Sequence, residues 1–317
     1  MDNPYDVTYD IACIGQIALD MLVQPVDKGI FDVDTTRIDE IKVLPGGDAM
    51  NESMVIAKLG KKVALFGKVG DDRFGEMVLR QAAGSGVDVG GVKVDGSTIT
   101  STSLVMINRN GDRNFVYCAG NNEALRLEDI DLAAVRRAKI VNVGSILGLA
   151  SLDQGGTEAI LKDARAHRAI TCADSSHDTN RLGLAGIKGV LRQLDYFIPS
   201  FAEASYLTGE EEPERIADVL LGCGVGTVVI KLGRKGCLIK NSGGSRIIPP
   251  YIVDAVDTTG AGDNFVAGFL TGLSSGWETE RCGAFANAVG ALSTLEVGAN
   301  SAVKNMDQVL NFIKNKE

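Results

Sequence analysis

Short β-branched runs bounded by glycine or aspartate recur along the chain, and amphipathic helical patterns fill the intervals between them. The runs are "DIACIG" (10–15), "KVALFGKVG" (62–70), "KIVNVGSI" (139–146), "AITCADSS" (169–176), "DYFIPS" (195–200) and "TVVIKLG" (227–233), each read as a strand. Between them, "AMNESMVIAKLG" (49–60) sets Met50, Met54 and Ala57 on one helical stripe, and "DQGGTEAILKDARAHR" (153–168) does so with Ile160, Leu161 and Ala164. Strands that alternate with helices pair in parallel and bury both sheet faces under those helices. The predicted class is therefore α/β, with a largely parallel sheet. Ligands of such a sheet bind beyond the carboxyl ends of its strands.

Two stretches break this rhythm and read as antiparallel ribbons. "TSLVMINRNGDRNFVYCAG" (102–120) turns at Asn110-Gly111, and "GCLIKNSGGSRIIPPY" (236–251) turns at Ser242-Gly243-Gly244. The first is expected to leave the main sheet. With no linker, low-complexity tract or internal repeat, residues 1–317 are read as a single α/β domain carrying a small β excursion.

The bulk properties narrow the function. A chain of 317 residues that is 45% hydrophobic can fill a substantial core. A formal net charge of −9 argues against nucleic acid or an anionic membrane as partner, because both demand clustered lysine and arginine. The six cysteines (Cys13, Cys118, Cys172, Cys223, Cys237, Cys282) form no CxxC pair, and the two histidines, His167 and His177, complete no zinc spacing. The cysteines read mostly as small buried hydrophobes in a reducing compartment. The N-terminal "MDNPYDVTYDIACIG" lacks a basic region followed by an apolar one, and no segment is long enough to cross a bilayer, so a cytoplasmic location is expected.

One segment carries chemistry. "VDTTGAGDNFVAGFL" (256–270) clusters glycine at the start of an amphipathic helix over Asp263 to Ser274, whose stripe is Phe265, Val266, Phe269, Leu270 and Leu273. Glycine inside a helix costs about 1 kcal/mol relative to alanine, so Gly260, Ala261 and Gly262 suggest a need for the backbone itself. Unpaired N–H groups and the positive end of the helix dipole make this an anion site. Asp263 is then open to two readings, a helix cap or a general base of ordinary pKa that takes a proton from a hydroxyl attacking a bound phosphorus.

"DTTGAGDNFVAGFL" resembles the C-terminal signature of the ribokinase-like carbohydrate kinases, the PfkB family, and "PGGDAMNESMVIAKLG" (45–60) resembles their N-terminal Gly-Gly signature. The likeness extends to "GQIALDMLV" (15–23), "GKVGDDRFG" (67–75) and "KLGRKGC" (231–237), and so spans nearly the whole chain. It implies a ribokinase-like three-layer sandwich with a small β lid, formed by segments near 16–45 and 98–120. It also implies that Asp263 is the base and Gly260, Ala261 and Gly262 the anion hole.

By the same resemblance Asp20, Gly47, Asp48 and Asn51 bind sugar hydroxyls; taken singly, Asp48 and Asn51 read sooner as helix-start residues, and the match to the motif reverses that. Arg113 and Tyr117 of the first ribbon are implied to face the substrate, where an exposed hairpin arginine would otherwise be solvated. Lys231, Gly233 and Gly236 resemble the loop lining ATP, and Asn287 in "FANAVGAL" falls where the family meets adenine. "PSFAEA" (199–204) keeps Glu203, implied to act on Mg²⁺ through water, with Ser200 where asparagine is usual. Potassium is a further implied ion, at the turn "LEVGANS" (295–301) near Asp257. Ala18 and Gly144 depart from ribokinase itself, so ribose is not assured.

No G-x-x-x-x-G-K-[ST] occurs, and "CIGQIA" supplies no G-x-G-x-x-G, which disfavours a P-loop enzyme or a dinucleotide dehydrogenase. The expected activity is ATP- and Mg²⁺-dependent phosphorylation of a small sugar or sugar acid. The alternatives are an adenosine-like nucleoside kinase and a sugar-binding regulator without turnover. Lid strands of the family often pair between subunits, so a homodimer is a further expectation.

Overall fold

The computed structural model describes residues 8–110 and 113–316. The Asn110–Gly111 turn and residues 1–7 of the N-terminal stretch therefore fall partly or wholly outside the described residues. The strands, in chain order, are β1 (Tyr9–Ile14), β2 (Ala18–Gln24), β3 (Glu40–Gly46), β4 (Val63–Gly70), β5 (Asp88–Asp95), β6 (Thr102–Ile107) and β7 (Arg113–Cys118). They continue as β8 (Ala138–Ile146), β9 (Ile170–Ser175), β10 (Tyr196–Phe197), β11 (Thr227–Lys231), β12 (Cys237–Asn241) and β13 (Gly244–Ile248). The longer helices are α1 (Asp48–Lys58), α2 (Arg73–Gly84), α3 (Gly156–Ala166), α4 (Phe201–Thr208), α5 (Pro213–Gly222), α6 (Ala261–Ser274), α7 (Thr279–Ser293) and α8 (Met306–Lys314).

Nine strands form the larger sheet in the order β13-β12-β11-β10-β9-β8-β1-β4-β5. Its pairs are parallel except where β12 and β13 fold back as the second ribbon. From β1 the chain first advances to one side through β4 and β5, then to the other from β8 onward. The strand order thus reverses between β1 and β8, the place where such sheets open a crevice.

Strand alternation builds the layers. Ile11, Cys13 and Ile140 point to one face, against Met50 and Met54 of α1 and Phe265 and Phe269 of α6. Ala12, Ile14, Val141 and Val143 point to the other, against Ile160 and Leu161 of α3, Ala204 of α4 and Ile216 of α5. The result is the expected three-layer sandwich. Cys13, Cys172, Cys237 and Cys282 are buried as small apolar groups, and Cys118 is exposed.

The first ribbon does leave the main sheet: β6 and β7 join β2 and β3 in a separate four-stranded sheet of order β3-β2-β6-β7. Two boundaries differ from the sequence expectation. The strand at "DYFIPS" stops at Phe197, because Pro199 has no N–H for a ladder and Ser200 already caps α4. The helix expected from Asp263 begins at Ala261, with Gly260 as its N-cap at φ 69°.

Candidate active site

The local folding of two signatures sets the site. Gly47 precedes α1 at φ 90°, and a Cβ there would lie 2.6 Å from the Gln16 carbonyl oxygen, so only glycine lets the chain turn this tightly into the helix. Asp48 is thereby the first residue of α1, above the carboxyl end of β8. Gly260 plays the same part before α6: a Cβ there would meet the Ala299 side chain at 2.5 Å.

Three cavities adjoin the start of α6, and each shares a wall residue with the next. The first, about 330 Å³, is lined by Asp48, Asp174, Glu203, Lys231, Gly262 and Asp263. The second, about 280 Å³, has Gly233, Gly236, Tyr251, Phe265 and Asn287 in its wall along with Lys231 and Gly262. The third, about 570 Å³, is bounded by Arg113, Phe115, Thr258, Thr259 and Gly260.

Asp263 does not cap its helix. Its Oδ2 accepts from Asn51 Nδ2 at 2.7 Å, and Asn51 Oδ1 accepts in turn from Asn300 Nδ2 at 3.1 Å. Burial pushes the Asp263 carboxyl up to about 6, with the Asp174 charge adding to it and the Asn51 amide and Lys231 opposing it. The ordinary pKa expected from sequence is therefore corrected, since the surroundings desolvate this carboxyl. Asp48 is pushed further, to about 7, by burial and by the facing Asp263 charge, while Ser145 Oγ donates to its Oδ2. Asp20 on β2 is raised to about 6, chiefly by burial.

Lys231, at the end of β11, holds these acids together. Its Nζ lies 2.6 Å from Asp174 Oδ2, and although burial opposes the charge, the Asp174 and Glu203 carboxylates keep the ammonium protonated. A Cβ built on Gly262 would lie 3.4 Å from that Nζ, so the cation borders the helix start. There the Ala261 N–H is turned to Thr258 O at 3.2 Å, whereas the Gly262 N–H meets no acceptor among the described residues. Glu203 Oε2 accepts from Ser200 N at 2.8 Å and Ser200 Oγ accepts from Glu203 N at 3.3 Å, a capping box that accounts for the serine at position 200, and the same Oε2 accepts from Ser175 Oγ at 3.0 Å.

Not every expected residue faces these carboxylates. Asn287 Nδ2 donates to Pro249 O at 2.9 Å and Ile248 O at 3.2 Å, tying down the strand end that walls the second cavity. Arg113 turns to Asp257 Oδ1, 2.6 Å from its Nη1, and to Thr259 Oγ1. Although burial opposes it, the Gly298 and Thr259 N–H groups and this guanidinium hold Asp257 below the usual carboxylate range. Tyr117 Oη accepts from Asn122 Nδ2 at 3.1 Å.

Sequence reasoning missed Asp174, Ser145 and Asn300. Asp174 had a usable signal, since a carboxylate at the carboxyl end of a parallel strand lies where ligands bind. The asparagine relay had none, because its members are far apart in the chain.

The family model for pfkB family carbohydrate kinases matches residues 8–306. Probable fructokinase-5 of Arabidopsis thaliana is 29% identical over 96% of this chain and 98% of its own length. Fructokinase-2 of Zea mays is 31% identical over 85% of each. Among solved structures, the Arabidopsis thaliana ribokinase complexed with ribose and ATP superposes with a TM-score of 0.82 at 26% identity, covering 96% of this chain and 98% of that one. Site geometry, family match and fold agree: the chain belongs to the pfkB family of carbohydrate kinases.

Proposed function

We propose that the chain transfers the γ-phosphoryl group of ATP to a primary hydroxyl of a small sugar or sugar acid. One observation carries this reading: the Asp263 carboxyl opens on the same cavity as the Lys231 ammonium and Gly262, whose N–H meets no acceptor among the described residues. A base and an anion site thus share one chamber. Asp263 takes the proton of the acceptor hydroxyl as its oxygen bonds to the γ-phosphorus and the bond to the bridging oxygen breaks toward ADP. Charge on the moving phosphoryl group is met by Lys231 and by the amide at the helix start.

The acceptor is held by Asp20, Asp48 and Asn51, since carboxylates and amides suit adjacent hydroxyls. Purine and ribose of ATP fit the second cavity, whose wall includes the apolar Tyr251, Ile252, Val253 and Phe265. Glu203 and the Ser175 and Ser200 hydroxyls are hard oxygen donors of the kind Mg²⁺ prefers. Among the described residues no three acidic, histidine or cysteine groups close into a metal cage, which suits an ion that keeps most of its waters. Mg²⁺ bound there would neutralise polyphosphate charge.

The four-stranded sheet serves as the lid that excludes water from the chamber. Its edge strand β7 exposes Phe115 and Val116, which supports pairing with a second copy of the chain. ATP consumption over a panel of hexoses, pentoses, ketoses, aldonic acids and nucleosides tests the reading. Turnover of a sugar or sugar acid is expected. Turnover of nucleosides alone would reassign the acceptor, and binding without turnover of any compound would overturn the activity.

A further inference from the structure

The resemblance to ribokinase-like enzymes implies potassium at the 295–301 turn beside Asp257, and the residues present do not fit that ion. Asp257 is 2% exposed and both of its oxygens are engaged: Oδ1 by Arg113 Nη1 at 2.6 Å and Thr259 N at 2.7 Å, Oδ2 by Gly298 N at 2.9 Å. Carbonyls at the end of the turn are engaged as well. Ala299 O accepts from Asn264 Nδ2, Asn300 O from Lys58 Nζ and Ser301 O from Lys304 Nζ. Three of the chain's own positive charges, Arg113, Lys58 and Lys304, therefore lie at the turn, where Glu296 offsets that of Lys304 at 3.0 Å. A further monovalent cation would meet like charges there and a carboxylate already neutralised.

We propose that Arg113 is a built-in replacement for the monovalent cation, so that the loop from Asp257 to Gly260 is set by strand β7 of the small sheet and the kinase is indifferent to potassium. The guanidinium reaches Asp257 and Thr259, directly before the N-cap of α6, and so acts as a positioning residue for the helix start. Because it belongs to the small sheet, the order of this loop and the seating of that sheet become one event. Potassium would bind the loop whether or not the sheet was in place. Arginine binds it only when the sheet is seated.

The test compares the full chain in KCl, NaCl and choline chloride at equal ionic strength. Thermal melting is read without sugar or ATP, so only the activity arm rests on the kinase reading. The wild type is expected to melt within about 1 °C in all three salts, well under the several degrees that a saturating ligand adds. Its turnover should vary less than about twofold, far below the effect of losing an organised anion site. Arg113→Met, which strands the buried Asp257 charge, should melt several degrees lower, and Arg113→Lys should fall between it and the wild type. If Arg113→Met does not fold, Arg113→Met with Asp257→Asn should restore folding, because no charge is then left unpaired. A saturable rise in wild-type melting temperature specific to KCl would overturn the proposal, as would an Arg113→Met melting curve identical to that of the wild type.

Discussion

Asn51 Nδ2 donates to Asp263 Oδ2 at 2.7 Å, joining the first turn of α1 to the first turn of α6. A hydrogen bond thus links the two glycine-led signatures of the chain, whose helices also share one apolar core. Behind it, Asn300 holds the Asn51 carbonyl and donates also toward Pro45 O at 3.4 Å. The proposed base is therefore oriented by side chains from both ends of the sequence.

If Asp263 is the base, Asp263→Asn should lower kcat by about 10² to 10⁴-fold while leaving the fold intact. Steady-state kinetics on the sugar identified by the panel, together with a melting curve, check this. A variant that turns over at the wild-type rate would remove Asp263 from the mechanism.

The rate should depend on pH through the same carboxyl. A base must be ionised, so kcat is expected to rise with pH as the Asp263 carboxyl, raised to about 6, loses its proton, and to level off above about pH 7. Asn51→Ala removes a hydrogen bond that favours the ionised form of Asp263, and its acid limb should move to higher pH. A limb that stays in place would mean that Asn51 does not act through Asp263.

Stability should carry the opposite signature. Asp48 keeps its proton in the folded chain to about 7 but loses it near 3.8 when unfolded, so its contribution to stability declines as pH rises through that window. Asp48→Asn keeps the acceptor for Ser145 and removes the desolvated charge. After allowance for solvent at this partly exposed group, it should be stabilised by about 1 kcal/mol at pH 8, roughly 2 °C, with no gain near pH 4. Melting at the two pH values decides the matter; an equal gain at both would exclude the electrostatic cause.

Removing one member of the Lys231–Asp174 pair leaves a charge stranded where Asp174 is 2% exposed. Lys231→Met is expected to be destabilised by about 3 kcal/mol, and adding Asp174→Asn should recover most of that loss while activity stays low. Denaturant unfolding of the single and double variants measures the coupling, and additive effects would show that the pair is not one unit.

Much of this arrangement was legible in the chain. The alternation of β-branched runs with amphipathic stripes determined the sandwich, because burial on both faces of a parallel strand imposes a local pattern that propensity and periodicity report directly. The glycines at 47 and 260 likewise announced the two helix starts, since a positive φ and a close approach exclude a side chain at those positions. Only the tertiary structure decided what the charged groups do. It raised Asp263 and Asp48 by desolvation, set Asp174 against Lys231, passed Asn300 through Asn51 to Asp263, and turned Arg113 away from the chamber to Asp257. Each of these depends on dielectric and on distances between residues far apart in the chain, quantities that no local pattern of side chains encodes.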